Sequence, residues 1–336
     1  MIKEHIKYLV CPNCKKQLVL EILEKTESKI KTGSLNCKFC NKEFPIINYI
    51  PRFVSQDNYA QNFGLEWKIH SKTQYDSYNN TKIAENRFFN ETKFKRNLKN
   101  QIILEVGCGS GRFTEQALKT NATIISFDLS NSVEESYKSN SHNKNLLIIQ
   151  ASIYNLPFKE DFFDKIFCLG VLQHLPDVEK GFMQLSKYLK QKSNLVIDIY
   201  GIREGFKGFF VMLLQTKYLI RPLTTRISPE LLYDLCKFYI NLMWYPSKIL
   251  NKIPYFGKRI KWALLIADQF LDNEQAHILS EEKQKEWVIL DTFDMLSPKY
   301  DSPQKISTIK KWFENSNLKN IEIYWGYNGI EGHATK

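Results

Sequence analysis

Two groups of residues in this sequence have the types and spacing to do chemistry. Cys11-Pro12-Asn13-Cys14 and Cys37-Lys38-Phe39-Cys40 form a CxxC…CxxC pattern with 22 residues between the inner cysteines. Two such turns can present four thiolates tetrahedrally to one Zn²⁺, as closed structural sites do. A redox dithiol pair is the alternative, but two cysteine turns in a short segment with few helical signals need a metal to hold them. Four sulfur ligands leave no open coordination position, so zinc here is structural, not catalytic. Cys108, Cys168 and Cys236 stand alone and read as buried side chains.

The second group is Ile102-Ile103-Leu104-Glu105-Val106-Gly107-Cys108-Gly109-Ser110-Gly111-Arg112, an apolar strand running into three alternate glycines and then a helical pattern from Phe113. Glycines let the backbone turn sharply and approach a ligand that a Cβ would exclude. The spacing is neither the dinucleotide GxGxxG nor the P-loop, which needs Gly-Lys-Ser/Thr. Its companions add specificity. Asp128 closes the next β-rich run, 23 residues after Glu105, where a carboxylate can accept both hydroxyls of a ribose. The third run ends in Gln150-Ala151-Ser152-Ile153 and the fourth in Leu169-Gly170-Val171-Leu172-Gln173-His174-Leu175-Pro176-Asp177.

These groups need a scaffold, and the sequence reads as five segments. Residues 1–54 hold both cysteine pairs and a strand-like end over 44–54, with Pro45 and Pro51 limiting its sheet pairing. Residues 55–98 form a polar, aromatic helical segment in which Phe63, Trp67 and Tyr75 are spaced for one face. Residues 99–200 alternate β-rich runs (102–106, 123–128, 145–150, 163–169 and 194–200) with helical stretches, the pattern of a parallel α/β sheet. All the quoted strand ends then share one edge, where such sheets bind ligands. Residues 201–285 turn helical and apolar, and 286–336 return to a helix over 306–315 and a strand over 321–325.

The chain has 336 residues, 43% hydrophobic and 25% charged, an ordinary globular balance for two or three domains. Its longest apolar run, 209–214, is far too short to span a bilayer, and Met1 to Tyr8 carry no signal core, which points to a cytoplasmic protein. The net charge of +11 divides as +7 over 1–98, zero over 99–200, +7 over 201–270 and −3 over 271–336. Only eight of the 47 basic residues are Arg, so the excess reads as composition bias as much as a phosphate-binding surface.

From residue 99 to 200, and onward to the C-terminus, the sequence resembles the class I S-adenosylmethionine-dependent methyltransferases, which implies a Rossmann-like, seven-stranded α/β sheet. Glu105, Val106, Gly107, Cys108, Gly109, Ser110 and Gly111 match that family's first motif, and Asp128 its ribose-binding acid, with Leu129 beside the adenine. The family usually has Asp where this chain has Ser152, which leaves the adenine amino group to the Ser152 hydroxyl, the Ile153 amide or a water. Phe162-Phe163-Asp164-Lys165-Ile166 matches the entry to the fourth strand, and Leu169 and Gly170 lead into the loop that follows it. Tyr8 to Val54 resemble the Trm112-like zinc ribbons, small activating subunits of methyltransferases that modify tRNA, rRNA or translation factors. Here the ribbon is fused to its own catalytic domain, which implies support of that domain more than any substrate.

In this fold the end of the fourth strand faces the donor methyl, so His174 is the candidate general base; a loop histidine that only shapes the cofactor pocket is the equal alternative. The Asn/Asp-Pro-Pro-aromatic motif of many amino-methylating enzymes is absent, which favours an oxygen, sulfur or carbon acceptor. Residues 201–285 read as a helical acceptor cap. Leu231, Leu232, Leu235, Phe238, Tyr239, Leu242 and Met243 recur at helical spacing, as do Trp262, Leu265, Ile266 and Leu271. Such stripes are commonly buried, but with Lys and Arg interspersed an anionic lipid or lipid-linked saccharide could dock there, giving peripheral membrane contact. Residues 287–303 read as an irregular, Pro-punctuated loop; with 59–67 they resemble bacterial ribbon-fused methyltransferases met among surface-polysaccharide and secondary-metabolite genes. Asp294 and Tyr300 are expected to line the acceptor pocket, against a plainer reading of Asp291 and Asp294 as caps or turn residues.

Three functions follow. The first is methyl transfer to a small-molecule, glycan or lipid-linked acceptor. The second is an RNA or translation-factor methyltransferase gripping its polymer through the ribbon, and the third a noncatalytic S-adenosylmethionine-binding partner. The first is preferred over nucleic acid because the ribbon offers neither Trp nor Tyr between Cys14 and Cys37.

Overall fold

The computed structural model describes residues 1–55, 58–205, 215–254 and 256–336; the apolar run 209–214 lies outside them. The N-terminal segment is an antiparallel sheet of β1 (Val19–Thr26), β2 (Lys29–Cys37), β3 (Lys42–Ile47) and β4 (Ile50–Pro51). Asn48 and Tyr49 turn β3 into β4 with φ of 51° and 70°, the left-handed pair that a tight hairpin needs. Pro45 sits within the β2–β3 ladder opposite Ser34, and its carbonyl accepts the Arg52 N–H at 2.8 Å. The proline therefore interrupts less pairing than its position predicts.

Past β4 the chain runs along the edge of the main sheet. Arg52 bridges Gln150 in parallel, the Phe53 N–H donates to the Gln150 carbonyl at 2.8 Å, and the buried Arg52 guanidinium reaches Gln150 Oε1 at 2.9 Å and Glu134 at 2.8 Å. An otherwise open edge strand is thereby covered. Met1, Leu9, Cys11, Leu18 and Leu35 belong to the same apolar cluster as Leu104, Val106, Ile125 and Ile149, so ribbon and core share one interior.

The helices that precede the core are α1 (Gln61–Ile69), α2 (Asp76–Asn79) and α3 (Ile83–Thr92). The core strands are β5 (Ile102–Val106), β6 (Thr123–Asp128), β7 (Leu146–Gln150), β8 (Phe163–Leu169) and β9 (Leu189–Ile199), with α4 (Arg112–Leu118), α5 (Val133–Asn140) and α6 (Val178–Tyr188) between them. Near-continuous apolar runs such as Leu146 to Ile149 suit strands buried on both faces. The C-terminus adds β10 (Lys319–Trp325) and β11 (Ile330–Thr335), giving a seven-stranded sheet in the order β10-β11-β9-β8-β5-β6-β7. β5 to β9 pair in parallel, and β11 lies antiparallel between β9 and β10. β5 has β6 on one side and β8 on the other, and at that reversal of strand order the loops after β5 and β8 part to leave a crevice. This is the Rossmann-like class I methyltransferase fold.

The inserted helices are α7 (Thr216–Thr224), α8 (Pro229–Leu250) and α9 (Gly257–Ala263), followed by α10 (Glu281–Leu296) and α11 (Ile306–Asn315). Ser228 caps α8, accepting from the Leu231 N–H, and Pro229 occupies its first turn. The expected stripe on α8 splits. Leu232, Cys236, Ile240 and Trp244 face inward, whereas Leu231, Leu235, Phe238 and Leu242 are 47–70% exposed. Among the cations near them, Lys217 pairs with Asp301 and Lys261 with Asp268, both pairs buried. Leu265, with φ of 58°, lies outside α9, so Trp262 and Leu271 do not share a helix.

Candidate active site

Four cysteine sulfurs converge in the ribbon. Cys11 and Cys40 lie 3.4 Å apart, Cys14 and Cys37 3.4 Å, Cys14 and Cys40 3.9 Å, and all four fall within 4.8 Å of one another. Four Zn–S bonds near 2.3 Å in a tetrahedron separate their sulfurs by about 3.8 Å, so the quartet fits that ion. Backbone N–H groups of Cys40 and Phe39 help hold the Cys37 thiol down to about 6, towards the thiolate a metal requires.

At the crevice between β5 and β8 lies a cavity of about 990 Å³. Gly107 and Gly109 line it with φ of 72° and 52°. A Cβ on Gly107 would meet Val171 Cγ2 at 2.4 Å, and one on Gly109 the Trp67 ring at 3.1 Å. The loop is thus clamped between the β8 loop and α1, and only glycine fits there. Asp128 Oδ2 accepts the Gly109 N–H at 3.0 Å, and Oδ1 accepts the Ser130 N–H and hydroxyl at 2.8 and 2.7 Å. Oδ1 is thereby saturated, and Oδ2 keeps one lone pair towards the cavity beside Leu129, Ala151 and Ile153. A carboxylate for a ribose, an apolar slot for a base and a glycine loop whose lack of side chains leaves room beside them fit the S-adenosylmethionine that the sequence resemblance implies.

Of the expected cofactor residues, Gly107, Cys108, Gly109, Asp128, Leu129, Ile153, Leu169 and Gly170 all line this cavity. Glu105, Gly111 and Ser152 do not. Glu105 lies beneath the loop, where Oε2 accepts hydroxyls of Thr114 at 2.6 Å and Ser126 at 2.5 Å, joining β5, α4 and β6. Gly111 serves packing: a Cβ there would lie 2.5 Å from Ser136 Oγ and from Asn140 Nδ2. The Ser152 hydroxyl instead accepts the Tyr154 N–H. All three aromatic residues of the expected helical face reach the site. Phe63 packs on His174, Trp67 on Gly109, and the Tyr75 hydroxyl donates to the Ser110 carbonyl at 2.6 Å.

His174 lines the cavity, only 8% exposed. Its Nδ1 stands 3.0 Å from the Tyr300 carbonyl, which can only accept, so Nδ1 carries the hydrogen. Nε2 is the ring's other nitrogen and accepts from the Gln173 side-chain amide at 3.2 Å. Tyr300 itself does not face the cavity; its ring packs edge-on to Tyr59 at 5.4 Å, and its backbone positions His174. Asp294 does line the cavity, with Oδ2 3.3 Å from the Tyr200 hydroxyl.

The expected loop over 287–303 is helical to Leu296, because Ser280 caps α10 and its buried residues continue through the polar stretch. Asp291 and Asp294 are therefore neither caps nor turn residues. They stand at i and i+3 on one face of α10, turned to the cavity. Sequence reasoning also missed Glu66, Arg87, Arg112 and Tyr200, which line the same space; Phe63, Glu66 and Trp67 at i, i+3 and i+4 were the available signal.

Two predictions arise here. Arg87 pairs with buried Glu91 at 2.7 Å and buried Asp198 at 2.8 Å. Arg87→Met strands both carboxylates and should cost about 3–5 kcal/mol in denaturant unfolding; a change below 1 kcal/mol would contradict the network. Asp291 is pushed up to about 8 by burial and by Asp294. A folded-state pKa above the unfolded one means that the native state keeps a proton the unfolded chain has released. Stability is then fully present below the ordinary Asp range and lost as pH rises towards about 8. The Tm of Asp291→Asn should therefore gain on the wild type between pH 5 and 8, by at least a few °C; a pH-independent gap would contradict this.

Residues 104–197 match the methyltransferase domain family. The tRNA U34 carboxymethyltransferase of Nautilia profundicola is 30% identical over 105 residues, 30% of this chain and 35% of that protein. The ubiquinone biosynthesis O-methyltransferase of Coxiella burnetii is 26% identical over 143 residues, 42% of this chain and 58% of that protein. The chain thus spans 35–58% of the length of these curated relatives. Among solved structures, a candidate S-adenosyl-L-methionine-dependent methyltransferase of Methanococcus maripaludis is similar at a TM-score of 0.44 and 16% identity, covering 84% of this chain and 96% of that one. The match and the strand order together identify a class I S-adenosylmethionine-dependent methyltransferase domain.

Proposed function

We propose that the protein transfers a methyl group from S-adenosylmethionine to an oxygen of a small-molecule, glycan or lipid-linked acceptor, with His174 as general base. The observation that carries this reading is the fixed tautomer of His174, whose basic Nε2 belongs to a ring lining the same cavity as Asp128 and the glycine loop. When bound, the cofactor supplies an electrophilic methyl on a sulfonium. Gly107, Cys108, Gly109 and Leu129 would hold it by backbone and apolar contact, and Asp128 would accept a ribose hydroxyl. His174 takes the acceptor's proton at Nε2, where the acceptor hydroxyl replaces the Gln173 amide, while Nδ1–H stays bonded to the Tyr300 carbonyl, which keeps the ring oriented as charge develops. Phe63 and Tyr200 flank the imidazole and limit water around it.

The four-cysteine ribbon holds a structural zinc and braces β7 and the loop after it. No helix among the described residues is long and apolar enough to cross a membrane. The exposed face of α8, with Lys252 and Arg259 nearby, supports contact with an acceptor that carries a lipid.

The test is His174→Gln under single turnover. Methyl transfer should fall at least 100-fold while S-adenosylhomocysteine affinity stays within twofold. Transfer within threefold of wild type would remove His174 from the chemistry.

A further inference from the structure

We propose that the acceptor presents a protonated amine to this cavity, and that Glu66, Asp291 and Asp294 are the groups that bind it. The inference rests on the methyltransferase reading and adds the charge of the acceptor to it.

Glu66 lies on α1, fully buried, and neither carboxyl oxygen has a hydrogen-bond partner although the residue lines the cavity. A buried polar group is ordinarily satisfied, because an unpaired one forfeits its hydration without return. Asp291 and Asp294 face the same space from α10, which packs against α1. Asp294 accepts the Tyr200 hydroxyl on one oxygen.

Among the described residues, no cation that lines the cavity forms an ion pair with this cluster. Arg87 is engaged by Glu91 and Asp198, and Lys217 by Asp301 at 2.9 Å. Arg112 donates to Gln74, and although its charge acts on Glu66 and Asp291, it leaves both Glu66 oxygens without a donor. Burial and the neighbouring aspartates push Glu66 well above the usual carboxylate range, so the cluster retains protons that a cation would displace. In a chain of net charge +11 an acidic cavity is not a consequence of composition.

An ammonium offers three N–H donors and a positive charge, and so answers carboxyls arriving from two helices at once. Trp67 and Trp287 line the same cavity, and the π-systems of indoles favour a nearby cation over an anion. A phosphate or carboxylate placed there would oppose the ionisation of these carboxyls and gain no counter-charge from them in a low-dielectric space. The cofactor also carries an ammonium, so the test must separate the two sources.

The experiment is calorimetric titration of the full chain, saturated with S-adenosylhomocysteine, by three probes on one skeleton: phenethylamine, phenethyl alcohol and 3-phenylpropionate. Phenethylamine should bind at least tenfold more tightly than either of the others. Glu66→Gln and Asp291→Asn should each reduce that preference below threefold and leave S-adenosylhomocysteine affinity within twofold. A Tm of Glu66→Gln at or above the wild type would show that the lost preference is not lost folding. Equal affinities, or preference for the anion, would overturn the proposal. A tenfold loss of S-adenosylhomocysteine affinity in Glu66→Gln would also overturn it, by assigning the cluster to the cofactor's own ammonium. Persisting amine preference with no methyl transfer to any acceptor would instead defeat the functional reading and leave the amine site standing.

Discussion

Asp128→Ala should abolish S-adenosylhomocysteine binding at micromolar concentrations, an expected loss of at least 100-fold in calorimetry. Two effects combine. The carboxylate that stands ready for the ribose is removed, and a charge-assisted hydrogen bond to it contributes about 1.5–3 kcal/mol. The Gly109 N–H and the Ser130 N–H and hydroxyl also lose their acceptor, so the loop keeps its tie to β6 only through the Gly107 and Cys108 N–H groups on the Phe127 carbonyl. Asp128→Asn keeps the shape and one acceptor oxygen and should retain the fold while binding at least tenfold more weakly. Unchanged binding in either variant would sink the ribose assignment.

The second large effect lies far from the cavity. Cys37→Ser should release zinc and unfold the first fifty or so residues, since in such sites metal binding and folding are one equilibrium. The damage should spread. Cys37 and Cys11 belong to the apolar cluster that includes Leu104, Val106 and Ile149, and Lys15 donates to the Leu156 carbonyl at 2.8 Å. We expect a Tm lowered by about 10 °C or more, since about 1 kcal/mol shifts a chain of this size by 2–4 °C. Hydrogen exchange should rise first in β1 to β4 and then along β7. Metal analysis that finds no zinc in the unmutated protein would refute the site, and an unchanged Tm would refute the bracing.

The sheet was legible because its chemistry and its periodicity coincide. β5, β6 and β8 lie where their apolar runs place them, and Gly107, Gly109 and Asp128 meet where one edge of a parallel sheet brings them. β11 was not legible. Ile330-Glu331-Gly332-His333-Ala334-Thr335 has one apolar β-branched residue and a glycine, and it is a strand because β9 and β10 pair with it on both sides. Gly332 is required there by the Phe313 ring, 2.7 Å from where a Cβ would sit, a tertiary fact with no local signal.

α10 shows a different failure. Pro298 and Pro303 made the whole of 287–303 look irregular, yet the helix ends at Leu296, ahead of the first proline. Taken as part of a loop, Asp294 was expected at the pocket, but the helix face it shares with Asp291 was hidden. Glu66 and Arg112 escaped because burial, not residue type, makes them informative. On α8 the heptad-like recurrence was real, but period alone cannot say which stripe is covered, and Leu232 and Trp244 took the interior while Leu231 and Phe238 did not.

The central claim is that this cavity delivers a methyl group to a small or lipid-linked acceptor, with the ribbon as a brace. The most direct measurement incubates the pure protein with methyl-labelled S-adenosylmethionine and an extract of its source cells. The extract is then separated into RNA, protein, lipid, glycan and small-molecule fractions. The account predicts label in the lipid, glycan or small-molecule fraction, absent with Asp128→Ala. Label in RNA or protein would contradict it and make the zinc ribbon the element that recognises the substrate.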